Sequence, residues 1–247
     1  MNTEALLALL IAAFYLKDSL LLLRADEAVL VRGLGGRWRA GFGARGFKLG
    51  GREPYLANPF APHLAVFRLR WAMQVAKAPT AVPRHALAAP APLAWLAPFA
   101  WVAWLLLFVA IPFTVLARTG VTSTLAALAL LYADIAVALA LLWRVRSRLG
   151  LGGRAYALLA FECLVCAPYA ANLVRRAAAA CPVDEDFTAA AARLLAPPAL
   201  TEVHRECLAR IDEQLEAEPE GGPIAQALAR ARARFEPSTT TDDRGGQ

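Results

Sequence analysis

The chain has 247 residues, 58% of them hydrophobic and 19% charged, and its apolar residues fall into long runs. That composition excludes a disordered chain or a small disulfide scaffold, and it points to an integral membrane protein rather than a soluble one with a large core. The formal net charge of +6 conceals a split: residues 24–91 carry eleven basic against three acidic side chains, residues 175–247 nine against thirteen.

In chain order, ALLALLIAAFYLKDSLLLL reads as a retained signal anchor over 5–23. A cleaved signal peptide would need basic residues before the run and a small-residue site after it, and MNTE supplies no base. Residues 24–71 form a basic, glycine-rich juxtamembrane region. Within it EAVLVRG and RWRAGFG have the composition and flanking glycines of a hairpin, and PHLAVFRLRW adds a third strand. The intervening REPYLANPFAP reads as a proline-punctuated loop. GFGARG matches G-x-G-x-x-G, but no helix start follows and no acid lies about twenty residues on, so the dinucleotide reading fails. Its glycines are expected to serve turns.

An Ala/Pro-rich linker over 72–91 leads to two long apolar segments, 92–117 and 122–143. Each exceeds the roughly 20 residues that a ~30 Å hydrocarbon core requires. The short connection between them makes a helical hairpin, which Pro98 and Pro112 should kink. Residues 155–174 are long enough to cross as well. Glu162, Pro168 and Asn172 penalise insertion there, and Arg175 and Arg176 would land outside if it did cross. This segment therefore either spans or lies on the inner surface. In the amphipathic tail, 183–236, apolar positions such as Leu200, Val203, Cys207, Leu208, Ile211 and Leu215 recur at helical spacing. Its charge is opposite to that of the basic region, which makes docking between the two plausible. The end, 237–247, reads as disordered.

The fold expected is mainly α and integral to the membrane. It has three transmembrane helices, a fourth membrane-associated helix, a small β-rich region and a helical tail. Basic residues in the short loops place the N-terminus outside and residues 24–91 in the cytoplasm. Only three of the 26 basic residues are lysine. With so much alanine this suggests a GC-rich bacterial genome, hence a bacterial inner membrane.

Charged groups at membrane depth persist only when paired. Helix arithmetic brings Lys17, Asp134 and Glu162 to similar depth, so Lys17 is expected to pair with one or both acids. Arg37, Arg39, Arg45 and Lys48, interleaved with aromatics, are candidates for anionic lipid headgroups, a simpler partner for an inner-face basic region than nucleic acid. Cys163 and Cys166 form CLVC on an apolar helix and lack the polar setting and second ligand pair of a zinc or redox site. No metal, no cofactor and no nucleic acid is expected.

No nucleophile–base pair or phosphate loop is present. The leading expectation is therefore a non-enzymatic scaffold, accessory subunit or assembly factor. Its partners would be anionic phospholipid and another membrane protein or a second copy of itself. A small ion- or proton-conducting unit using Asp134 and Glu162 is the alternative, and a lipid-acting enzyme a further one.

Overall fold

The computed structural model describes residues 3–33, 36–71, 91–117, 120–181, 183, 185–219 and 221–235. It is mostly helical with a small sheet region. The linker expected at 72–91 and the end expected at 237–247 lie outside the described residues, apart from Ala91. The first helix, α1 (Thr3–Ser19), ends four residues before the predicted anchor does, because Leu20–Leu23 is strand β1. Leucine tolerates either conformation, and here β4 (Glu53–Leu56) takes the backbone, with Leu20 opposite Leu56 and Leu23 opposite Glu53. The Ala57 N–H donates to the Ser19 carbonyl at 3.1 Å and extends that pairing to the helix end. The proline-punctuated loop thus contains a strand. Pro54 fits because β4 has a ladder on one side only, where a missing N–H need not be missed.

The other strands form an antiparallel sheet ordered β3 (Trp38–Gly41), β2 (Glu27–Arg32), β5 (Ala65–Arg70). Alternating side chains point to opposite faces, and the core divides accordingly. Ala28, Leu30, Phe67 and Leu69 join the main core shared with the helices. Val29, Val31 and Val66 join Leu23 and Ala57 in a second, smaller one. The sheet is therefore covered by helices on one face and by β1–β4 on the other.

Two of the GFGARG glycines serve close approach rather than a turn. A Cβ on Gly41 would lie 2.5 Å from the Tyr55 ring, and one on Gly43 2.3 Å from Glu53 Cβ.

Two helical stretches are long and apolar enough to cross a membrane, Pro92–Leu116 and Val121–Val145. The first comprises α2 (Ala91–Ala94), α3 (Ala97–Leu105), a π-helical turn (Leu106–Ala110) and α4 (Ile111–Leu116). Pro112 has no N–H for the carbonyl four residues back. The ladder widens in front of it, so that the Ile111 N–H reaches Leu106 O. The second stretch is α5 (Val121–Val145), about 37 Å long at 1.5 Å per residue.

Residues 155–174 are not one helix. Helix α6 (Gly153–Val165) stops, Cys166 leaves helical geometry, Pro168 sits in the first turn of the short α7 (Ala167–Ala171), and Asn172 separates α7 from α8 (Leu173–Ala180). Glu162 meets Arg176, while Ala155 and Leu158 line the same space as Ala179 and Ala180. Helix α8 therefore runs back along α6.

The tail forms α9 (Phe187–Leu194), α10 (Pro197–Ala217) and α11 (Pro223–Phe235). Asp186 caps α9 by accepting the Thr188 and Ala189 N–H groups. The three helices dock on the sheet. Phe187 packs edge-on to Phe42, and Phe235 edge-on to Trp71. Among the described residues, ion pairs of two arginines accompany the docking. Arg45 meets Glu206 and Glu213 at the surface, in the sense the bulk charges suggest. The buried pair has the opposite sense: Arg210 of the tail reaches Glu53 of β4, and also donates to Gly43 O at 2.8 Å.

Candidate functional site

Helices α1, α3 and α8 and the loop 57–64 converge below the sheet. The Tyr15 hydroxyl donates to Pro59 O at 2.6 Å, Tyr15 packs on Phe108, Phe60 on Trp104, and the Trp101 N–H donates to His63 Nδ1 at 3.0 Å. At the centre lies Arg175, only 5% exposed. One of its terminal nitrogens donates to Ser19 Oγ and Asn172 Oδ1, both at 2.9 Å, and the other to the carbonyls of Ala61 and Asn58. All four acceptors are neutral. Burial, the largest influence, pulls the guanidinium below its ordinary pKa, though an arginine keeps its charge regardless. The result is a buried cation that ties α1, α8 and the loop together.

Arg176 faces the other way. It is held between Asp18 and Glu162 and lies 4.4 Å over the Tyr169 ring. Asp18 Oδ2 and the Nε atoms of Arg175 and Arg176 are buried without a hydrogen-bond partner among the described residues.

These side chains form the polar wall of a cleft of about 430 Å³ between α6 and α8 on one side and β1 and β5 on the other. Leu21, Val66, Leu158 and Leu159 supply its apolar wall, and the small Ala179 and Ala180 leave the space open. Arg68 enters from β5 and is partly neutralised by Glu27 behind it. Burial alone would raise the Glu27 carboxyl. Hydrogen bonds from Arg68 and the Arg24 N–H, with help from Arg70, outweigh burial and hold it below its ordinary value.

The residues expected to meet do not. Glu162 pairs with Arg176 instead of Lys17. Lys17 is exposed and forms no ion pair among the described residues, and half-buried Asp134 has neither hydrogen bond nor ion pair there. Arg37, just before β3, and Arg39 within it are exposed, with Arg37 at the end of the sheet where β5 leaves the 57–64 loop. Arg45 and Lys48 lie at the opposite end, and Arg45 is occupied by the tail. The arginine pair, Asp18, Ser19 and Asn172 escaped sequence reasoning as a site. The available signal was the adjacent Arg175–Arg176 after an apolar run, with Asp18 interrupting the first apolar segment.

Among the described residues no group of three metal-ligating side chains occurs, and Cys163 and Cys166 are free thiols. Ser19 Oγ is engaged by the Asn172 amide and the Arg175 guanidinium.

His63 offers a pH test. Its Nδ1 must be unprotonated to accept from Trp101. Burial, and then the charge of Arg175, hold its pKa below the ordinary value. A depressed folded pKa gives stability that is present above about pH 6.5 and is lost as pH falls below it. The melting temperature should therefore drop between pH 7.5 and 5.5, and less so in His63→Gln, whose amide oxygen accepts without titrating. Equal drops in both would refute this.

No protein-family model, curated relative or solved structure matches the chain.

Proposed function

We propose that this is a multi-pass membrane protein of non-enzymatic type, a scaffold, accessory subunit or assembly factor of the bacterial inner membrane. One observation carries the reading. Of the most apolar 18 residues in each long helix, only 22% and 28% are buried within the chain. Large apolar side chains such as Phe113, Leu116, Leu125 and Leu130 face outward, and water would penalise such a surface. The outward residues of α1 (Leu6, Leu9, Leu10, Phe14) and of α6 (Leu158, Phe161, Leu164) extend it. In this reading α1 is a third span and α6–α8 a re-entrant hairpin.

That hairpin keeps the tail on the side of the basic 144–154 connection, with the sheet. Positive-inside bias makes that side cytoplasmic. Arg146 stacked 3.6 Å over the exposed Trp143 suits an interfacial belt there. Arg37, at the sheet end beside the 57–64 loop, is the best placed of the four basic candidates to meet anionic headgroups. The conducting unit is less well supported, because Arg176 already holds Glu162.

Alkaline carbonate extraction tests membrane integration, and introduced cysteines test sidedness. Cys207 cannot report, since burial leaves it fully enclosed with its thiol pushed up to about 12. With Cys166 and Cys181 replaced by alanine, an impermeant maleimide should label Val121→Cys on intact spheroplasts and Thr201→Cys only after lysis. Both native positions are exposed. Release into the carbonate supernatant would overturn integration, and the reverse labelling pattern would overturn the orientation.

A further inference from the structure

We infer that the cleft between α6–α8 and β1–β5 is a binding site for a monoanionic amphiphile, an acid head on an aliphatic chain. The inference rests on the membrane reading only for where such a ligand comes from.

The cleft has two unlike walls. Leu21, Val66, Leu158 and Leu159 form an apolar strip, and Leu158 is 59% exposed at its edge. Its outward face is continuous with Phe161 and Leu164, so a chain could enter sideways from an apolar phase. About 430 Å³ falls within the ~300–1,000 Å³ usual for pockets that hold drug-sized ligands.

The polar wall sets the head. Five charged side chains line the cleft: Arg68, Arg175 and Arg176 against Asp18 and Glu162. Among the described residues Arg176 is the cation that pairs with both acids. Arg175 meets only neutral oxygens there, and its buried Nε has no partner among them. Arg68 is 38% exposed and shares only one nitrogen with Glu27 among the described contacts. The lining therefore holds one positive charge more than its own acids cancel. A monoanionic head is drawn by that charge and can take hydrogen bonds from Arg68. A cation would meet carboxylates already engaged by Arg176.

Ala179 is exposed and lines the cleft, so Ala179→Trp fills the space without touching the core. Arg68→Gln removes the accessible charge and leaves the Arg175 clamp intact. The experiment is native mass spectrometry of the full chain, purified in detergent, with palmitate, phosphatidylglycerol or phosphatidylethanolamine of matched chain length added in turn. Wild type should retain palmitate or phosphatidylglycerol at least about tenfold better than phosphatidylethanolamine, and which of the two wins identifies the source of the acid. Ala179→Trp should abolish this retention with an unchanged melting temperature, and Arg68→Gln should weaken it about tenfold in a protein that still melts cooperatively, at a lower temperature because Glu27 loses a partner. Equal retention of phosphatidylethanolamine, or retention by Ala179→Trp equal to wild type, would overturn the inference. So would no retention of either acid. Carbonate extraction, by contrast, reports on the membrane reading alone.

Discussion

Arg210→Met is expected to destabilise the folded protein by about 3–5 kcal/mol, the usual effect of removing one partner from a buried ion pair. Arg210 and Glu53 have side chains only 4% and 7% exposed, so the carboxylate left behind has neither water nor a counter-charge. Gly43 O loses its donor as well. For a domain near this size the loss corresponds to a melting temperature lowered by roughly 10 °C. Adding Glu53→Leu should restore most of it, because an apolar replacement of both partners leaves no buried charge. Arg45→Ala, which removes pairs whose arginine is 44% exposed, should shift stability by less than about 1 kcal/mol. Thermal unfolding followed by tryptophan fluorescence checks all three. A single substitution at Arg210 no worse than the one at Arg45 would show that the tail is not held to the sheet by this pair.

The contrast between those pairs shows what the sequence could reveal. Bulk charge predicted attraction between tail and sheet, and Arg45–Glu213 obeys it. The buried contact pairs the tail's base with the sheet's acid, which only the positions of two individual residues decide. Strands β2, β3 and β5 are legible because β-branched and aromatic residues alternate between glycine-bounded turns, and the long apolar helices because sheer length and hydropathy leave few other states. Strand β1 is not, since LLLL after a helix continues a helix by any local rule, and only the distant β4 overrides it.

The fourth hydrophobic segment fails for a different reason. Placing Glu162 and Arg176 on one face of a straight helix puts them near each other in angle but about 21 Å apart along the axis. The break at Cys166 and Asn172 folds α8 back and brings them into contact. Lys17 was the plausible counter-ion only while that break went unrecognised.

Arg176 is where the second large effect should fall. Among the described residues its guanidinium is the one cation that both Asp18 and Glu162 contact. Arg176→Met removes it and leaves two carboxylates facing the same space, one of them with an oxygen already buried and unpartnered among those residues. The expected loss is about 2–4 kcal/mol, since like charges in a partly dehydrated cleft repel and Asp18, the enclosed acid, cannot be re-solvated without opening α6 from α8. Asp18 is the more enclosed acid, with 11% side-chain exposure against 35% for Glu162. Asp18→Asn in the Arg176→Met background should therefore recover more stability than Glu162→Gln does. In the wild-type background each neutralisation alone should be mildly destabilising, because it removes a favourable partner from Arg176. That reversal of sign between backgrounds, measured as melting temperatures in a double-mutant cycle, separates electrostatic coupling from simple packing loss. If Asp18→Asn has the same effect in both backgrounds, the triad is incidental and the hairpin owes its fold to packing alone.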